Sequence, residues 1–355
     1  MEKYLILLCL AVLFSCLFLS CAGSAVQEAD TDLINEGADT RTEVKYSPVQ
    51  AELSDYFLSE GDKIAVLTPS SRPAKEQIED TLNGLKEWGL VPVEGKHIRD
   101  SVCTSDDILE DFLWALEDDE ISAIFCVRGG YGASEIMDMI PLETIESACK
   151  PIIGYSDISA FHSAWTSAGL PSVLGCMSAT FSSLSKECAE AEKNLIFGIL
   201  PEYRCEADSY CRQGEAEGII VGGNLATFCS VLGTEYDSTA ACGNYILFLE
   251  DIGENMQHIH RYLTILKHLG ILDKASGIIF GEWTEFPGNR GDYSGSTRGG
   301  DFTSVADMIS RQFLDNLEIP VAFGFPCGHA DVNYPLLLGV PAKLKVEENS
   351  FTLSF

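Results

Sequence analysis

Residue types able to build a hydrolytic centre recur in this chain at the ends of apolar runs. Pro151-Ile152-Ile153-Gly154 reads as a buried strand that leads through Tyr155-Ser156-Asp157 into Ile158 to Trp165, which reads as a helix. A sharp strand-to-helix turn lifts a serine hydroxyl off the sheet and leaves nearby backbone N–H groups free, as a serine nucleophile requires. The same position equally suits a serine that only caps the helix. Glu250 and Asp251 follow the apolar run Ile246 to Leu249. A carboxylate there is costly to leave unpaired, and an imidazole is one of the few groups that can satisfy it. A salt bridge for Glu250 and helix capping by Asp251 are the plainer alternatives.

Of the six histidines, His329 lies in Gly324-Phe325-Pro326-Cys327-Gly328-His329-Ala330, a loop after an apolar run, where irregular backbone can aim an imidazole into a cleft. His162, six residues beyond Ser156, reads as a packing residue. Gly129-Gly130 offers N–H groups without side-chain obstruction, suited to an oxyanion or to a phosphate. The stretch Gly130 to Glu135 lacks the third glycine of a dinucleotide fingerprint. Glu254, His258 and His260 suggest a metal site, yet on a helix residues two apart diverge, so only Glu254 and His258 share a face and no metal is expected. Two Ser-x-x-Lys matches, at Ser147 and Ser183, are short enough to occur by chance and have no companion motifs.

These residues need a scaffold that brings strand ends together. Lys63 to Pro69, Leu90 to Val93, Ala123 to Val127 and the strands near Ile153 and Val173 are apolar, and helical patterns over Ala74 to Trp88 and Asp106 to Leu116 separate them. Such alternation predicts an α/β fold with a mostly parallel, doubly wound sheet covered on both faces. Sites in such sheets lie at the carboxyl ends of the strands, where Gly129-Gly130 and Ser156 both fall. A polar connector at 201–214 divides a domain over 59–200 from one over 215–355. The second half carries apolar runs at Gly218 to Asn224, Tyr245 to Leu249, Gly277 to Gly281 and Val321 to Phe323, a Gly-rich loop at 288–300, and two terminal β-like runs. It reads as a mixed α/β domain.

With 23 Lys+Arg against 54 Asp+Glu, the formal charge of −31 repels phosphate backbones, so no nucleic-acid partner is expected. Residues 1–21 combine one Lys, an apolar run from Tyr4 to Leu19 and small residues after Cys21, which reads as an export signal. Leu19-Ser20-Cys21 loosely matches a lipoprotein processing site, with Cys21 as the residue that would carry a membrane anchor. Residues 22–58 are polar and acidic and read as a tether. Three of the 13 cysteines lie in the leader. Of the rest, Cys126, Cys176 and Cys229 read as buried thiols, and Cys205 with Cys211 is the one pair placed to bridge.

Taken in order, Gly61-Asp62-Lys63-Ile64 with Pro69-Ser70-Ser71, Arg128-Gly129-Gly130-Tyr131-Gly132, Gly154-Tyr155-Ser156-Asp157, Gly222-Gly223-Asn224-Leu225, Leu249-Glu250-Asp251-Ile252 with Glu254 and Arg261, and Gly328-His329 resemble the serine LD-carboxypeptidases, the muramoyltetrapeptide carboxypeptidases of bacterial cell-wall recycling. The set spans roughly residues 60 to 345. Each motif is weak alone, and the order makes the set specific. The resemblance implies Ser156 as nucleophile, Glu250 as the carboxylate that orients the base, and His329 as that base. It implies an oxyanion hole from the N–H groups of Gly129, Gly130 and Asp157, and no cofactor. It also implies a flavodoxin-like first domain and a smaller mixed α/β second domain, with the site in the cleft between them.

Arg128 is a candidate for binding a substrate's terminal carboxylate, with a structural ion pair as the alternative. The expected activity is release of D-alanine from an L-centre in a murein tetrapeptide or other small peptide, with a homodimer possible. Family members are often cytoplasmic, whereas this chain carries an export signal. The related microcin-immunity peptidases, which cleave peptidyl-nucleotides, tend to carry an Asn-Ser stretch after the paired glycines, where this chain has Tyr131-Gly132. A non-enzymatic exported solute-binding lipoprotein is the reading from another class.

Overall fold

The computed structural model describes residues 42–48, 51–177, 185–284 and 302–355. The leader at 1–21, Cys21 and the Gly-rich loop at 288–300 lie outside the described residues. All described residues belong to one compact unit, 39–355.

Two sheets organise this unit. The first takes β2 (Lys63–Leu67), β3 (Val91–Glu94), β4 (Ile121–Cys126), β5 (Ile152–Gly154), β6 (Ser172–Leu174) and β12 (Leu336–Leu338). Its order is β12-β6-β5-β4-β2-β3, parallel throughout except for β12 at the edge. Without β12, this is the flavodoxin-like doubly wound order, which reverses direction between β2 and β4 and opens a crevice beyond their carboxyl ends.

Alternate residues of these strands point into two separate cores. Ile64, Val66, Phe125, Ile153 and Val173 enter one, while Ala65, Leu67, Ile124, Cys126 and Leu174 enter the other. The sheet is therefore buried on both faces, which explains why its strands are continuous apolar runs.

The second sheet has the order β1-β7-β14-β13-β8-β9-β10-β11. Its members are β1 (Thr42–Pro48), β7 (Ile199–Glu206), β8 (Gly214–Asn224), β9 (Tyr245–Ile252), β10 (Gly277–Thr284), β11 (Val321–Phe323), β13 (Pro341–Val346) and β14 (Ser350–Ser354). β8 to β11 run parallel, and the remaining pairs are antiparallel. Two of these eight strands, β1 and β7, come from before the second half of the chain.

Three expectations need correction. Residues 42–48 lie within the expected tether but form β1, which pairs antiparallel with β7 from Thr42↔Cys205 to Pro48↔Ile199. Their partner is over 150 residues away, so nothing local announces the strand. The expected connector at 201–214 contributes most of β7, whose inward Tyr203 and Cys205 alternate with exposed Glu202 and Arg204. Pro201 hides that period, since it cannot donate to a ladder. It is tolerated here because the β14 pairing begins only at Tyr203. Cys205 and Cys211 do not bridge: the first lies beside Thr42, the second holds the backbone of Phe323, and all ten described cysteines are free.

The helix Ser159–Ser167, directly after Ser156, is buried along almost its whole length. A helix that is enclosed all round belongs between layers. Its Phe161 stacks on Phe112 at 4.8 Å between ring centroids, and the Trp165 indole N–H donates to Lys150 O at 2.7 Å. Trp165→Ala is expected to lower the unfolding free energy by about 3–5 kcal/mol. Guanidinium unfolding followed by circular dichroism measures this, and a loss below about 1 kcal/mol would show that the helix is not anchored there.

Candidate active site

The segment after β5 fixes Ser156. Its φ is +64°, in the left-handed region that L-residues with side chains avoid. Only Cys149 shares a positive φ among the described non-glycine residues. Such a conformation costs on the order of 1 kcal/mol and survives only where surrounding packing enforces it. The result is a tight elbow that leaves the Ser156 side chain half-buried at a strand end.

Under the elbow, the buried His162 contacts Gly154 O at 2.7 Å through Nε2. Burial pushes its imidazole down to about 4, so the ring is neutral, and a carbonyl partner requires Nε2 to carry the hydrogen. His162 thus supports the elbow from below instead of facing solvent.

The loop after β4 runs alongside Ser156. A Cβ at Gly129 would lie 2.9 Å from Ser156 Cβ and 3.2 Å from its Oγ, so only glycine permits this approach. Gly130 (φ +115°) packs its Cα against Ser71. Among the described residues, the N–H groups of Gly129, Gly130 and Asp157 donate to no backbone carbonyl.

The Asp157 side chain has a role that the sequence did not indicate. It is buried, and its Oδ2 accepts from Ser70 Oγ at 2.6 Å and from Ala133 N at 2.8 Å. Burial raises its carboxyl above the usual range, against the pull of those two donors. Arg128 is exposed, donates to Arg72 O at 3.1 Å and makes no ion pair among the described residues.

The second sheet supplies the other groups. Glu250 lies within β9, not after it, and is fully buried. Its Oε2 is 2.8 Å from His329 Nδ1, and its Oε1 has no hydrogen-bond partner among the described residues. The neighbouring Asp251 points to the opposite side. There it accepts from Asn224 Nδ2 at 2.8 Å and from the backbone of Ile252 and Ala226. Burial and the nearby Glu250 push its carboxyl up to about 6.

His329 follows β11, and its ring lies 4.8 Å from that of Tyr155, the residue before Ser156. Through these contacts Ser156, the Gly129-Gly130 loop, His329 and Glu250 lie near one another. Among the described residues no hydrogen bond joins Ser156 to His329, and such bonds commonly close only around substrate.

Contacts between elements fix how the two halves meet. Ser159, three residues past Ser156, accepts from Asn224 N at 2.9 Å, and a Cβ at Gly223 would fall 2.5 Å from Ser159 Oγ. Gly222-Gly223-Asn224 is thus a docking point for the elbow helix. On the far side, Gly328 N donates to the buried Asn333 Oδ1 at 2.9 Å, Asn333 O contacts Cys176 Sγ, and Cys176 N donates to Glu192 Oε2 at 2.9 Å. Glu192 is fully buried within a helix, and burial pushes its carboxyl up to about 8. Gly222-Gly223-Asn224 and Gly328 belong to motifs that the sequence offered, whereas Asn333 and Glu192 carry no sequence signal beyond a polar residue in an apolar stretch. Elsewhere, Glu254 pairs with His258 at 2.6 Å, while His260 faces Phe313, so the three do not converge.

The family model of the LD-carboxypeptidase N-terminal domain matches residues 64–175, and that of the C-terminal domain matches residues 217–344. A Streptomyces coelicolor protein assigned as a carboxypeptidase is 30% identical over 309 residues, covering 83% of this chain and 94% of its own length. The murein tetrapeptide carboxypeptidase of Pseudomonas aeruginosa is 28% identical, with 80% of this chain and 93% of the relative covered. The crystal structure of muramoyltetrapeptide carboxypeptidase from Oxalobacter formigenes superposes with a TM-score of 0.71 at 23% identity, covering 82% of this chain and 98% of the other. That likeness establishes the two-domain α/β fold.

Glu192 makes a prediction about stability. Its carboxyl stays protonated to higher pH in the folded chain than in the unfolded one. As pH rises above about 4.5 the unfolded chain releases this proton first, so stability falls until pH passes about 8. Glu192→Gln keeps an oxygen for the Cys176 N–H and has no proton to release. The stability of this variant relative to wild type is expected to rise between pH 5 and 8, as chemical unfolding at a series of pH values would show. Parallel pH curves would mean that Glu192 is ionised in the folded chain.

Proposed function

The chain belongs to the LD-carboxypeptidase family, and from that premise we propose that it is a serine carboxypeptidase that releases C-terminal D-alanine from an L-centre, as in a murein tetrapeptide. The observation that carries the proposal is the fully buried Glu250 carboxylate bonded to His329 beside the strained Ser156 elbow.

An acceptor on Nδ1 fixes the imidazole tautomer, so Nδ1 carries the hydrogen and Nε2 is free to act as a base. His329 then takes the proton of Ser156 as its Oγ attacks the amide carbonyl. The developing oxyanion is assigned to the N–H groups of Gly129, Gly130 and Asp157, which donate to no backbone carbonyl among the described residues. His329 returns the proton to the departing D-alanine amine. A water, deprotonated by the same imidazole, hydrolyses the acyl-enzyme. An exopeptidase must recognise a terminal carboxylate, and the exposed Arg128 guanidinium, without an ion pair among the described residues, is the group assigned to it.

The order Ser156, Glu250, His329 along the chain is no obstacle, because a triad is defined by geometry. The proposal includes location: with an export signal at residues 1–21, the substrate is peptide outside the cytoplasm.

The direct assay incubates the protein with muramyl tetrapeptide in the presence of EDTA and measures free D-alanine by mass spectrometry. Wild type is expected to release it, and Ser156→Ala to lose at least about 10⁴-fold in kcat while keeping its melting temperature. An alanine variant with near-wild-type turnover would refute the nucleophile assignment, and loss of wild-type activity on adding EDTA would point to a metal-dependent reaction. Arg128→Ala is expected to raise KM at least tenfold with a smaller change in kcat. An unchanged KM would remove Arg128 from the substrate site.

A further inference from the structure

We propose that the Asp157 carboxylate, acting with Ser70, is a positioning residue that sets the oxyanion hole by tying the glycine loop to the nucleophile elbow. The inference rests on the reading of Ser156 as nucleophile, and concerns the side chain of Asp157, whereas that reading uses only its backbone N–H. Three segments meet at one carboxylate oxygen. The elbow supplies Asp157, the loop after β2 supplies Ser70, and the residue that ends the glycine loop, Ala133, supplies a backbone N–H. All three residues are buried, with Asp157 8% exposed, Ser70 5% and Ala133 0%.

A neighbouring contact completes the grip. Ser71 Oγ accepts from Tyr131 N at 3.1 Å and packs against Gly130. The glycine loop is therefore held in its middle by Ser71 and at its end by Asp157, with Gly129 pressed against Ser156 at its start. Gly130 and Gly132 have φ of +115° and +134°, so the loop has freedom that only outside contacts can remove. An oxyanion hole works through donors fixed in place before the reaction, and a displaced donor costs about 10²–10³ in rate. Burial raises the Asp157 carboxyl, so ionisation here works against stability, and an apolar residue would remove that cost.

The test uses a fluorophosphonate-rhodamine probe, which reads the site without presuming the peptide substrate. Ser156 Oγ forms a bond to phosphorus as the P–F bond breaks, fluoride leaves, the serine proton passes to His329, and the phosphonyl oxygen occupies the oxyanion hole. Asp157→Ala is expected to lower the maximal labelling rate about 100-fold and Ser70→Ala about tenfold, with probe affinity before reaction within twofold of wild type.

Asp157→Asn is expected to label within about fivefold of wild type, because one amide oxygen can accept both donors as Oδ2 does. Should Asp157→Ala fail to fold, Ser70→Ala, at the other end of the tie, carries the test alone. Labelling of the folded variants at the wild-type rate would overturn the tie, as would equal loss in Asp157→Asn and Asp157→Ala. A wild-type chain that the probe does not label at Ser156 would overturn the nucleophile reading first, and the tie with it.

Discussion

A carboxylate with no access to water is the constraint around which this site is built. Glu250 is fully buried within β9, where an isolated charge is prohibitively costly. His329 is the partner that relieves it, and their 2.8 Å contact holds the loop after β11 against β9, with the His329 ring 4.8 Å from that of Tyr155 in the first sheet. Gly328 allows this, since a Cβ there would lie 2.9 Å from Glu250 Oε2. Asn333 then fixes the loop through the Gly328 N–H. The position of His329 beside the Tyr155-Ser156 elbow follows from where Glu250 can be satisfied.

The same economy applies on the side of Ser156. A positive φ at the elbow and glycines packed against it are individually unfavourable, and they persist because buried polar contacts overdetermine them. His162 holds Gly154 from below, Asp157 holds Ser70 and Ala133, and Ser159 holds Asn224 across to the second sheet. Apart from the local His162 contact, each joins segments distant in sequence, so the site is stabilised by the tertiary fold and not by any one loop. The two halves also exchange strands: β12 closes an edge of the first sheet, and β1 and β7 extend the second. With strands shared in this way, the sheets that carry Ser156 and Glu250 are held by covalent connections at several points.

Much of the first sheet was legible because burial on both faces leaves an unmistakable mark, a continuous apolar run bounded by turns. Ile64 to Leu67 and Ile121 to Cys126 are of this kind. The second sheet was less legible at its antiparallel margin. β1 is an edge strand with a Lys and a Pro, and β7 contains Pro201, so local propensity argued against both. The cysteines misled in a different way. Proximity in sequence placed Cys205 and Cys211 together, whereas strand pairing and the Phe323 backbone took them apart.

For the site, the sequence by itself determined the candidate groups and their order: a serine after a buried strand, paired glycines after another, a carboxylate in a third and a histidine in a late loop. These were readable because catalytic groups sit at strand ends, where an apolar run stops and a polar residue follows. Only the tertiary structure decided that Glu250 faces His329 while Asp251 faces Asn224, and that the Asp157 carboxylate joins three segments. Adjacent strand residues point to opposite faces, and a buried polar atom must find its partner wherever packing places one, often a hundred residues away. Such pairings are properties of the fold, and no local pattern of residues can encode them.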